Sequence, residues 1–384
     1  MVRSDLFSKA ELSRYNRHVI IPEFGLDAQE KLKKSSVLVI GAGGLGSPLL
    51  LYLAAAGIGN IGIVDCDVVD ESNLQRQVLF GTDAIGVSKT EAARQRLESL
   101  NPYVNIRVYN TQLTSKNALK IIKDYDLVAD GTDNFPTRYL VNDACVMLNR
   151  PNVHASIYQF EGQVSVFNLE VDGIRGPNYR DLYPSPPEPG LVANCSEAGV
   201  LGVLPGIIGS MQALEVIKIV AQIGEPLNGK LFVFDALSFE SRILKIKKNA
   251  ANPLNGDHPT IRTLLDYESF CGVNAIEKKI KQVAPTELLN WQQQGQDIQL
   301  IDVREPQEYE LANINAELIP ASMLAEQTDR IDRHKKVVVM CKTGVRSDRA
   351  IRLLEEKFGY HNLYNLKGGL INYVNELELE LPRF

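Results

Sequence analysis

The first half of the chain alternates short apolar runs with helical stretches. Residues 37–40, "VLVI", predict a buried strand, and the turn "GAGGLG", the helix "SPLLLYLAAAG" and the strand "IGIVD" follow in that order. This order predicts a βαβ unit that opens a doubly wound sheet. Further strands are predicted at "RVYN", "DLVADGTDN", "GQVSVFN" and "KLFVFDA". Helices are predicted at "KTEAARQRLESL", "NALKIIK" and "GSMQALEVIKIVAQIG", the last with a clear apolar face.

A polar segment near residue 249, "KNAANPLNGDHPT", interrupts this pattern, and its two prolines predict a boundary. Farther on, the strands "IQLIDVR" and "KVVVMCK" and the helices "PTELLNWQQQ" and "RSDRAIRLLEEKF" predict a second, small α/β domain. We therefore expect a first domain over residues 1–250, a linker over 251–280 and a second domain over 281–384. The first domain should contain a mixed, mostly parallel sheet of the Rossmann-like type.

Composition and charge narrow the function classes. The 384 residues are 45% hydrophobic and 23% charged, and the net charge of −6 argues against a broad nucleic-acid surface. The N-terminal sequence "MVRSDLFSKAELSRYNRH" lacks the apolar core of a signal peptide, and glycines and Pro48 interrupt the uncharged run 36–64. We therefore expect a cytoplasmic protein that does not bind a membrane. Five scattered cysteines make a disulfide framework improbable: Cys66, Cys145, Cys195, Cys271 and Cys341.

The turn between the first strand and the first helix of the sheet matches the G-x-G-x-x-G pattern through Gly41, Gly43 and Gly46. Glycine lets backbone N–H groups approach a phosphate, and the helix N-terminus adds a favourable dipole. Asp65 ends the second strand, where an acidic side chain meets a ribose hydroxyl. These features alone suit NAD or FAD at least as well as ATP, and a glycine turn without a ligand is the structural alternative.

Polar residues after later strands favour a triphosphate. Asn73 and Arg76 lie in "SNLQRQ", Lys89 follows in "VSKTEAA", and Asp133 and Asn134 stand in "DGTDN". The two cations would offset phosphate charge, and the carboxylate of Asp133 would hold Mg²⁺. Because the pyrophosphate of a dinucleotide needs fewer cations, this set predicts ATP with magnesium.

Several motifs occur in the order in which one known family carries them. They are "RYNRH", "GAGGLGSP", "SNLQRQ", "DGTDNFPTRYLVNDAC", "FEGQVSVFN", "EAGVLGVLPGIIGSMQALEVIK" and "FDALS". Residues 8–271 therefore resemble the adenylating enzymes of ubiquitin-like sulfur carriers, the MoeB/ThiF type, which are related to ubiquitin-activating enzymes. The resemblance implies ATP contacts at Gly44, Asp65, Ser72, Asn73, Leu74, Gln75, Arg76, Lys89, Asp133 and Asn134.

The resemblance also implies a reaction. The carboxylate of a carrier that ends in Gly-Gly attacks the α-phosphate of ATP and gives an acyl adenylate and pyrophosphate. Alignment and charge neutralisation carry the catalysis because two anions must meet, and an ionised carboxylate needs no protein base. Arg17, the second arginine of "RYNR", would act as an arginine finger in the ATP site of the other subunit, which implies a homodimer. A surface salt bridge is the alternative role for Arg17.

The family usually carries two C-x-x-C pairs that share one structural zinc. Here Asn178 and Asp181 stand at the first pair and Asn252 and Asn255 at the second, so all four thiolates are absent and the spacing is kept. Three amides and one carboxylate are poor zinc ligands, and we expect no zinc. Hydrogen bonds among these side chains would replace the tie, and a hard cation such as Ca²⁺ is the alternative.

The second domain carries a cysteine on a strand-to-helix turn. Cys341 follows "KKVVVM", and backbone N–H groups, a helix N-terminus and Arg346 would lower its pKa and cradle an anionic persulfide. With "LIDVREPQEYELANI" and "YNLKGGL", residues 281–384 resemble a single rhodanese domain, which implies that Cys341 carries sulfane sulfur. The alternative is a rhodanese fold without the chemistry. The expected persulfide loop is Cys341, Lys342, Thr343, Gly344, Val345 and Arg346.

Both halves on one chain resemble the sulfurtransferase-fused eukaryotic members of the family. The first domain would activate the carrier, and Cys341 would deliver sulfur, displacing AMP and leaving a thiocarboxylate. The sulfur donor would be a cysteine desulfurase or thiosulfate. Molybdenum cofactor, thiamine and related sulfur pathways all stay open. Asp302 and Arg304 are expected to stabilise the second domain as an ion pair.

The stretch "PSPPEPGLVANCSEAGV" matches the crossover loop of the family. Its Cys195 corresponds to the cysteine that bonds to the carrier as a thioester or an acyl disulfide. A small filler at a helix start is the alternative, since such a thiol reacts only if it is exposed. We expect structural roles for Cys66, Cys145 and Cys271, the last in a junction where it could be exposed.

Two other function classes remain at this point. An NAD-dependent oxidoreductase would explain the glycine turn and Asp65 but not Lys89, Arg17 or the second domain. A non-catalytic scaffold that binds a ubiquitin-like partner would explain the loss of the zinc ligands. Carrier-dependent exchange between ATP and pyrophosphate separates both from an adenylating enzyme.

Overall fold

The structure is a computed structural model that describes residues 6–187, 199–271 and 280–379. The chain forms two compact units, Met1–Ala275 and Ile276–Phe384. In the first unit the helices are α1 (Lys9–Val19), α2 (Gly25–Lys34), α3 (Gly46–Ala56), α4 (Lys89–Leu100), α5 (Ala118–Ile122), α6 (Phe135–Met147), α7 (Tyr179–Leu182), α8 (Val203–Ala221) and α9 (Tyr267–Phe270). Its strands are β1 (Ser36–Ile40), β2 (Asn60–Asp65), β3 (Asn105–Asn110), β4 (Leu127–Asp130), β5 (Asn152–Tyr158), β6 (Glu161–Phe167), β7 (Glu170–Val171), β8 (Ile174–Arg175), β9 (Lys230–Asp235) and β10 (Glu240–Lys245).

The first unit is built on an eight-stranded sheet in the order β10-β9-β6-β5-β4-β1-β2-β3. The strands from β5 to β3 are parallel, and β6, β9 and β10 continue the sheet antiparallel. The predicted mixed, mostly parallel sheet is confirmed. Between β1 and β4 the strand order reverses, and such a switch point opens a crevice at the carboxyl ends of the strands.

Side chains of β1 show why this sheet is buried on both faces. Val37 and Val39 join a cluster with α2, α3, α4 and α8, whereas Leu38 and Ile40 join a second cluster with α5 and α6. Successive residues of a strand point to opposite faces, so a continuous apolar run predicts helices on both sides. The sheet is therefore the centre of the unit, and its strand ends are left to carry chemistry.

The longest helix, α8, begins six residues before the predicted stretch and ends three residues before its end. By length and composition it could cross a membrane. It packs against α2, α3, β5 and β6, and its buried residues include Leu204, Ile208 and Val216. Its apolar character therefore reflects a place in the core.

The predicted linker 251–280 begins too early. Leu254, Tyr267 and Cys271 are buried in the first unit, and α9 contacts α6. Cys271 is 9% exposed, so the exposure considered for it is wrong, and burial raises the pKa of its thiol to about 11. The polar composition of the segment predicted a linker. The burial of these three residues depends on contacts with distant parts of the chain, so local composition could not predict it.

A buried ion pair joins this segment to α6 and α7. Arg180 donates from Nε and Nη2 to the two oxygens of Asp143, each at 2.8 Å, and both side chains are at most 1% exposed. The Tyr267 hydroxyl donates to the same carboxylate at 2.8 Å, and the ring of Phe270 lies 4.8 Å from the guanidinium. A buried pair of this kind is stable only when its polar atoms are satisfied, as they largely are here.

The second unit is a five-stranded parallel sheet in the order β11-β15-β14-β12-β13. Its strands are β11 (Gln282–Val283), β12 (Ile298–Asp302), β13 (Glu317–Leu318), β14 (Lys336–Met340) and β15 (Leu363–Leu366), and its helices are α10 (Pro285–Gln293), α11 (Pro306–Leu311), α12 (Val345–Phe358) and α13 (Gly369–Glu376). The predicted ion pair is confirmed: Arg304 Nη2 donates to Asp302 Oδ2 at 2.7 Å, and both side chains are fully buried.

Candidate nucleotide site and persulfide loop

The glycine-rich turn lies at the carboxyl end of β1, where three backbone segments meet. Gly41 has a φ of +89°, a left-handed conformation that favours glycine. A Cβ on Gly46 would collide with the carbonyl oxygen of Gly41, and a Cβ on Gly41 would lie 3.2 Å from the carbonyl oxygen of Gly131. The turn, the start of α3 and the loop after β4 therefore touch without intervening side chains, as in a phosphate-binding turn.

Gly44 connects this turn to the segment that carries the predicted cation Arg76. A Cβ on Gly44 would lie 3.2 Å from Pro205 Cβ and 3.6 Å from Arg76 Cγ. An added Cβ on Gly43 meets Gln77 Nε2 only at 3.9 Å, so the turn is open at that residue. The structure thus brings Arg76 against the glycine turn, as a phosphate site requires.

Asp65 fixes the shape of the turn. Its Oδ2 accepts the backbone N–H of Ala42 at 2.8 Å, and its Oδ1 accepts that of Asp67 at 2.9 Å. The carboxylate joins the end of β2 to the glycine turn. Its predicted contact with a ribose hydroxyl stays a prediction.

Lys89, the first residue of α4, is held by a carboxylate that sequence reasoning missed. Its Nζ lies 2.8 Å from Asp67 Oδ2, and its side chain is 7% exposed against 64% for Asp67. The backbone N–H of Lys89 also donates to the Asp67 carbonyl at 2.9 Å. In the sequence, the position of Asp67 two residues after Asp65 was the signal that could have predicted this pair.

The 72–76 segment is a compact turn that begins at Asp70. Asp70 Oδ1 accepts the backbone N–H and the hydroxyl of Ser72, at 2.9 and 2.5 Å, and caps a short 3-10 helix, Glu71–Asn73. Arg76 donates from Nη1 to the Ser72 carbonyl at 3.1 Å. A Cβ on Gly202 would collide with the backbone of Gln75, so this segment also touches the residues that precede α8.

The loop 131–134 forms the other wall of the crevice. Asp133 and Asn134 are exposed, and Asn134 caps α6 by accepting the backbone N–H of Thr137 at 3.0 Å. The carbonyl of Thr132 accepts from Arg138 Nη2 at 3.2 Å. Since Gly131 touches Gly41, this loop and the glycine turn face one another across the switch point.

In the second unit, Cys341 follows β14 and lies under the N-terminus of α12. The backbone N–H of Gly344 points to its Sγ at 3.2 Å, and the Ser347 hydroxyl lies 3.4 Å from the same atom. Gly344 has a φ of +91°, which turns the chain into the helix. The thiol sits among hydrogen-bond donors, an arrangement suited to an anionic sulfur.

The start of α13 holds the loop from the opposite side. Leu370 N–H donates to the Cys341 carbonyl at 2.8 Å, and Asn365 Nδ2 donates to the Gly344 carbonyl at 3.0 Å. A Cβ on Gly369 would lie 2.5 Å from the carbonyl oxygens of Cys341 and Lys342, so glycine is needed there. The motif "YNLKGGL" thus supports the loop.

Arg346 of the expected persulfide loop is paired with a carboxylate, and its effect on the Cys341 thiol stays a prediction. Its Nη1 and Nη2 donate to the two carboxylate oxygens of Glu308, each at 2.6 Å. Glu308 lies on α11, 38 residues earlier, so local sequence could not reveal the pair. Burial raises the pKa of Glu308, but the hydrogen bonds from Arg346 and the Glu305 N–H, together with the charges of Arg346 and Arg304, outweigh it, and the net pKa is lowered.

The family assignment follows from comparison of the sequence with family profiles. The profile of the ThiF family matches residues 15–255, and that of the rhodanese-like domain matches residues 284–376. The chain belongs to the ThiF family. It carries a rhodanese-like domain after the ThiF region.

Relatives extend over nearly the whole chain. "Probable adenylyltransferase/sulfurtransferase MoeZ" of Mycobacterium tuberculosis is 46% identical over 98% of this chain and 96% of its own length. "Adenylyltransferase and sulfurtransferase MOCS3" of Drosophila grimshawi is 39% identical over 98% and 86%. "Sulfur carrier protein adenylyltransferase" of Thermus thermophilus is 52% identical over 70% of this chain and 99% of its own length.

Solved structures are similar to the ThiF region in fold. The selenomethionine form of PaaA has a TM-score of 0.54 at 24% identity and covers 64% of this chain and 77% of its own. Escherichia coli MccB with succinimide has a TM-score of 0.54 at 24% identity and covers 63% and 73%. These similarities concern the architecture alone.

Arg17 is a predicted ThiF residue that the structure does not bring to the crevice. Arg17 is exposed on α1, which is anchored by Tyr15 against Gly57 and Asn101. Those residues precede β2 and β3 and lie at the amino ends of the strands, whereas the glycine turn lies at the carboxyl ends. Arg17 therefore cannot contact the glycine turn of its own chain. Its action in a second subunit stays a prediction. Cys195 lies outside the described residues.

The four residues at the zinc-ligand positions of the family form a hydrogen-bonded cluster, which we call the amide cluster: Asn178, Asp181, Asn252 and Asn255. Asn178 Nδ2 donates to Asn255 Oδ1 at 2.9 Å, and Asn252 Nδ2 donates to Asp181 Oδ1 at 2.7 Å. The Asp181 carboxylate also accepts the backbone N–H groups of Asn178, at 2.7 Å, and Asn249, at 2.9 Å. The predicted hydrogen bonds among these side chains are present, and the absence of zinc stays a prediction.

The donors in this cluster do not fit zinc. Amide Nδ2 atoms point inward and donate, whereas a zinc ligand must offer a lone pair. Across residues 6–187, 199–271 and 280–379, no group of three or more His, Cys, Asp or Glu side chains could hold a metal ion. The hydrogen bonds of the cluster tie the 249–255 turn to α7.

We expect the purified protein to contain no stoichiometric zinc, because Asp181 is the one anionic group in the cluster. Elemental analysis of the protein after gel filtration in zinc-containing buffer measures this. The variant N178C/D181C/N252C/N255C is the matched positive control, because it restores four thiolates at the family spacing and should retain about one zinc per chain. One zinc per chain in the wild-type protein would contradict the assignment.

Asn252→Ala should destabilise the first unit by about 2 kcal/mol, because it removes a buried side chain that donates to the Asp181 carboxylate and leaves the Leu254 N–H without its acceptor. Asn255→Ala should cost less than about 1 kcal/mol, since Asn255 is exposed and its side chain accepts one hydrogen bond, from Asn178. Urea unfolding of the first unit measures both changes in the free energy of unfolding. Equal effects would contradict the role given to Asn252.

Proposed function

We propose that this chain activates the C-terminal carboxylate of a ubiquitin-like sulfur carrier by adenylation and then transfers sulfur to it from Cys341. The supporting observation is that one chain holds two complete arrangements: a glycine turn faced by the 131–134 loop, and a cysteine cradled at a helix N-terminus. Membership in the ThiF family and the rhodanese-like domain assign the two chemistries, adenylyl transfer and sulfur transfer. The chain is therefore an enzyme with two activities.

ATP would lie across the switch point with its phosphates against the glycine turn. Arg76 and Lys89 would neutralise phosphate charge as the carrier carboxylate approaches the α-phosphate. Asp133 fits Mg²⁺, because its carboxylate is exposed at the strand ends and makes no hydrogen bond or ion pair within the described part of the chain. Magnesium would neutralise charge on the triphosphate. The side-chain amide of Asn134 would add a further contact to the nucleotide.

The acyl adenylate is then the electrophile for sulfur. A persulfide on Cys341 would attack the carrier carbonyl carbon and form an acyl persulfide, while AMP leaves with the electron pair of the broken C–O bond. A second thiol would attack the Cys341 sulfur, release the thiocarboxylate and leave a disulfide. Cys195 is our candidate for a covalent bond to the carrier, as a thioester or an acyl disulfide, and Gly344 N–H would stabilise the sulfur anion on Cys341.

The carrier has an apolar surface available beside the antiparallel half of the sheet. The hairpin tips expose Tyr158 and Phe160 by 43% and 41%, and Leu237 and Phe239 by 72% and 78%. The Ala236 N–H donates to the Phe160 carbonyl at 2.9 Å and joins the two tips. Exposed apolar side chains of this number mark a binding surface, here for the carrier body.

The assembly and setting complete the proposal. Arg17 lies near the amino ends of the strands, whereas its own glycine turn lies at their carboxyl ends. In a homodimer, Arg17 would instead act at the glycine turn of the second copy. The donor that loads Cys341 would be a cysteine desulfurase or thiosulfate. We place the enzyme in the cytoplasm, in molybdenum cofactor, thiamine or related sulfur metabolism.

The test mixes the protein with a Gly-Gly carrier, ATP, Mg²⁺ and thiosulfate, and weighs the carrier by mass spectrometry. The wild-type protein should replace one carrier oxygen by sulfur. Cys341→Ser should abolish that mass gain but keep carrier-dependent ATP–pyrophosphate exchange, whereas Asp133→Asn should slow the exchange by about 100-fold. Cys66→Ser, an exposed thiol, and Asp124→Asn, an exposed carboxylate, are the matched controls. Undiminished sulfur gain by Cys341→Ser would contradict the proposal.

A further inference from the structure

Two buried ionisable side chains lie side by side beneath the 131–134 loop. Asp130 ends β4, and its register partner His154 lies on β5. The distance from His154 Nδ1 to Asp130 Oδ2 is 3.6 Å, and the two side chains are 3% and 1% exposed. Within the described residues, neither of these two atoms has a hydrogen-bond partner. A buried polar atom without a partner is costly, so such a pair calls for an explanation.

The second oxygen of Asp130 holds the loop. Asp130 Oδ1 accepts the backbone N–H of Thr132 at 3.0 Å and its hydroxyl at 2.6 Å. Thr132 directly precedes Asp133, whose carboxylate we assign to the metal-bound triphosphate. A rotation of the Asp130 carboxylate would therefore move the backbone that presents Asp133.

The position of Asp130 itself is fixed from α8. Gln212 Nε2 donates to the backbone carbonyls of Asp130 and Val153, each at 2.8 Å, and holds the ends of β4 and β5 together. With the backbone held, the remaining freedom of Asp130 is rotation of its carboxylate. His154 Nδ1 faces the oxygen that Thr132 leaves unused.

His154 is itself confined. Its ring lies 5.7 Å from that of Phe167 and 5.2 Å from that of Tyr179, centroid to centroid. On the neighbouring strand β6, its register partner is Ser165, whose hydroxyl donates to the Lys230 carbonyl on β9, away from the loop. A small shift along this slot would bring Nδ1 within hydrogen-bond distance of Oδ2.

We propose that His154 is a positioning residue of the adenylation site. Its Nδ1–H donates to Asp130 Oδ2 when the loop is engaged, fixes the carboxylate, and thereby orients residues 131–134 toward the phosphates and their Mg²⁺. The proposal rests on the function proposed above, since it takes Asp133 as the residue that meets the metal-bound triphosphate.

The test separates the donor of His154 from its ring. His154→Phe keeps a ring between Phe167 and Tyr179 and removes the donor, whereas His154→Asn keeps a donor near the Nδ1 position and removes the ring. Calorimetry measures the dissociation constants of ATP with Mg²⁺ and of AMP, which lacks the metal-binding phosphates. His154→Phe should weaken binding of ATP with Mg²⁺ by about tenfold and leave that of AMP within about twofold.

His154→Asn and the control Ser165→Ala should keep both affinities within about threefold of the wild-type values. The ratio of the two constants in one preparation does not depend on the folded fraction, so a destabilised variant still gives a result. The ratio compared is the dissociation constant of AMP divided by that of ATP with Mg²⁺. If this ratio is unchanged in His154→Phe, or falls equally in His154→Asn, the role of His154 is overturned, while the proposed function stands. A wild-type protein without affinity for ATP and Mg²⁺ would overturn the proposed function as well.

Discussion

The nucleotide site depends on the contact of backbones at the carboxyl end of β1. Gly41 and Gly131 touch across the switch point, and Gly46 lies so close to the Gly41 carbonyl that no side chain fits. This contact brings together the N-terminus of α3, the glycine turn and the 131–134 loop, which we propose as the site of the polyphosphate. Asp65 and Asp130 then set the shape of the two loops, because each carboxylate accepts backbone N–H groups at the end of its strand.

Carboxylates also balance the cations of both sites. Lys89 is paired with Asp67, and Arg346 is paired with Glu308. An unpaired buried cation is costly. The carboxylate partners therefore let each unit keep a cation close to the groups that we expect to react. A substrate anion has to share or replace a carboxylate partner. In the amide cluster, each hydrogen bond contributes about 1 kcal/mol, whereas a structural zinc contributes about 10 kcal/mol in small peptides, so the expected absence of zinc leaves a weaker tie.

Local patterns in the sequence predicted the parts of the structure that are local. The glycine turn, the strands on either side of it and the loop after Cys341 follow from short motifs. The strands β5 and β10 were not predicted, because β5 carries polar residues and β10 is exposed throughout. The Arg346–Glu308 and Asp130–His154 pairs and the burial of Cys271 depend on residues far apart in the chain, so no local pattern contains them.

The central claim is that one chain activates a carrier and supplies its sulfur from Cys341. The most direct measurement loads the protein with radiolabelled sulfur from thiosulfate, removes the free donor, and adds a Gly-Gly carrier with and without ATP. We expect label to move from the protein to the carrier in a single turnover, only when ATP is present, in an amount that matches the labelled Cys341. Label that reaches the carrier without ATP, or that stays on the protein when ATP and carrier are both present, would contradict the account.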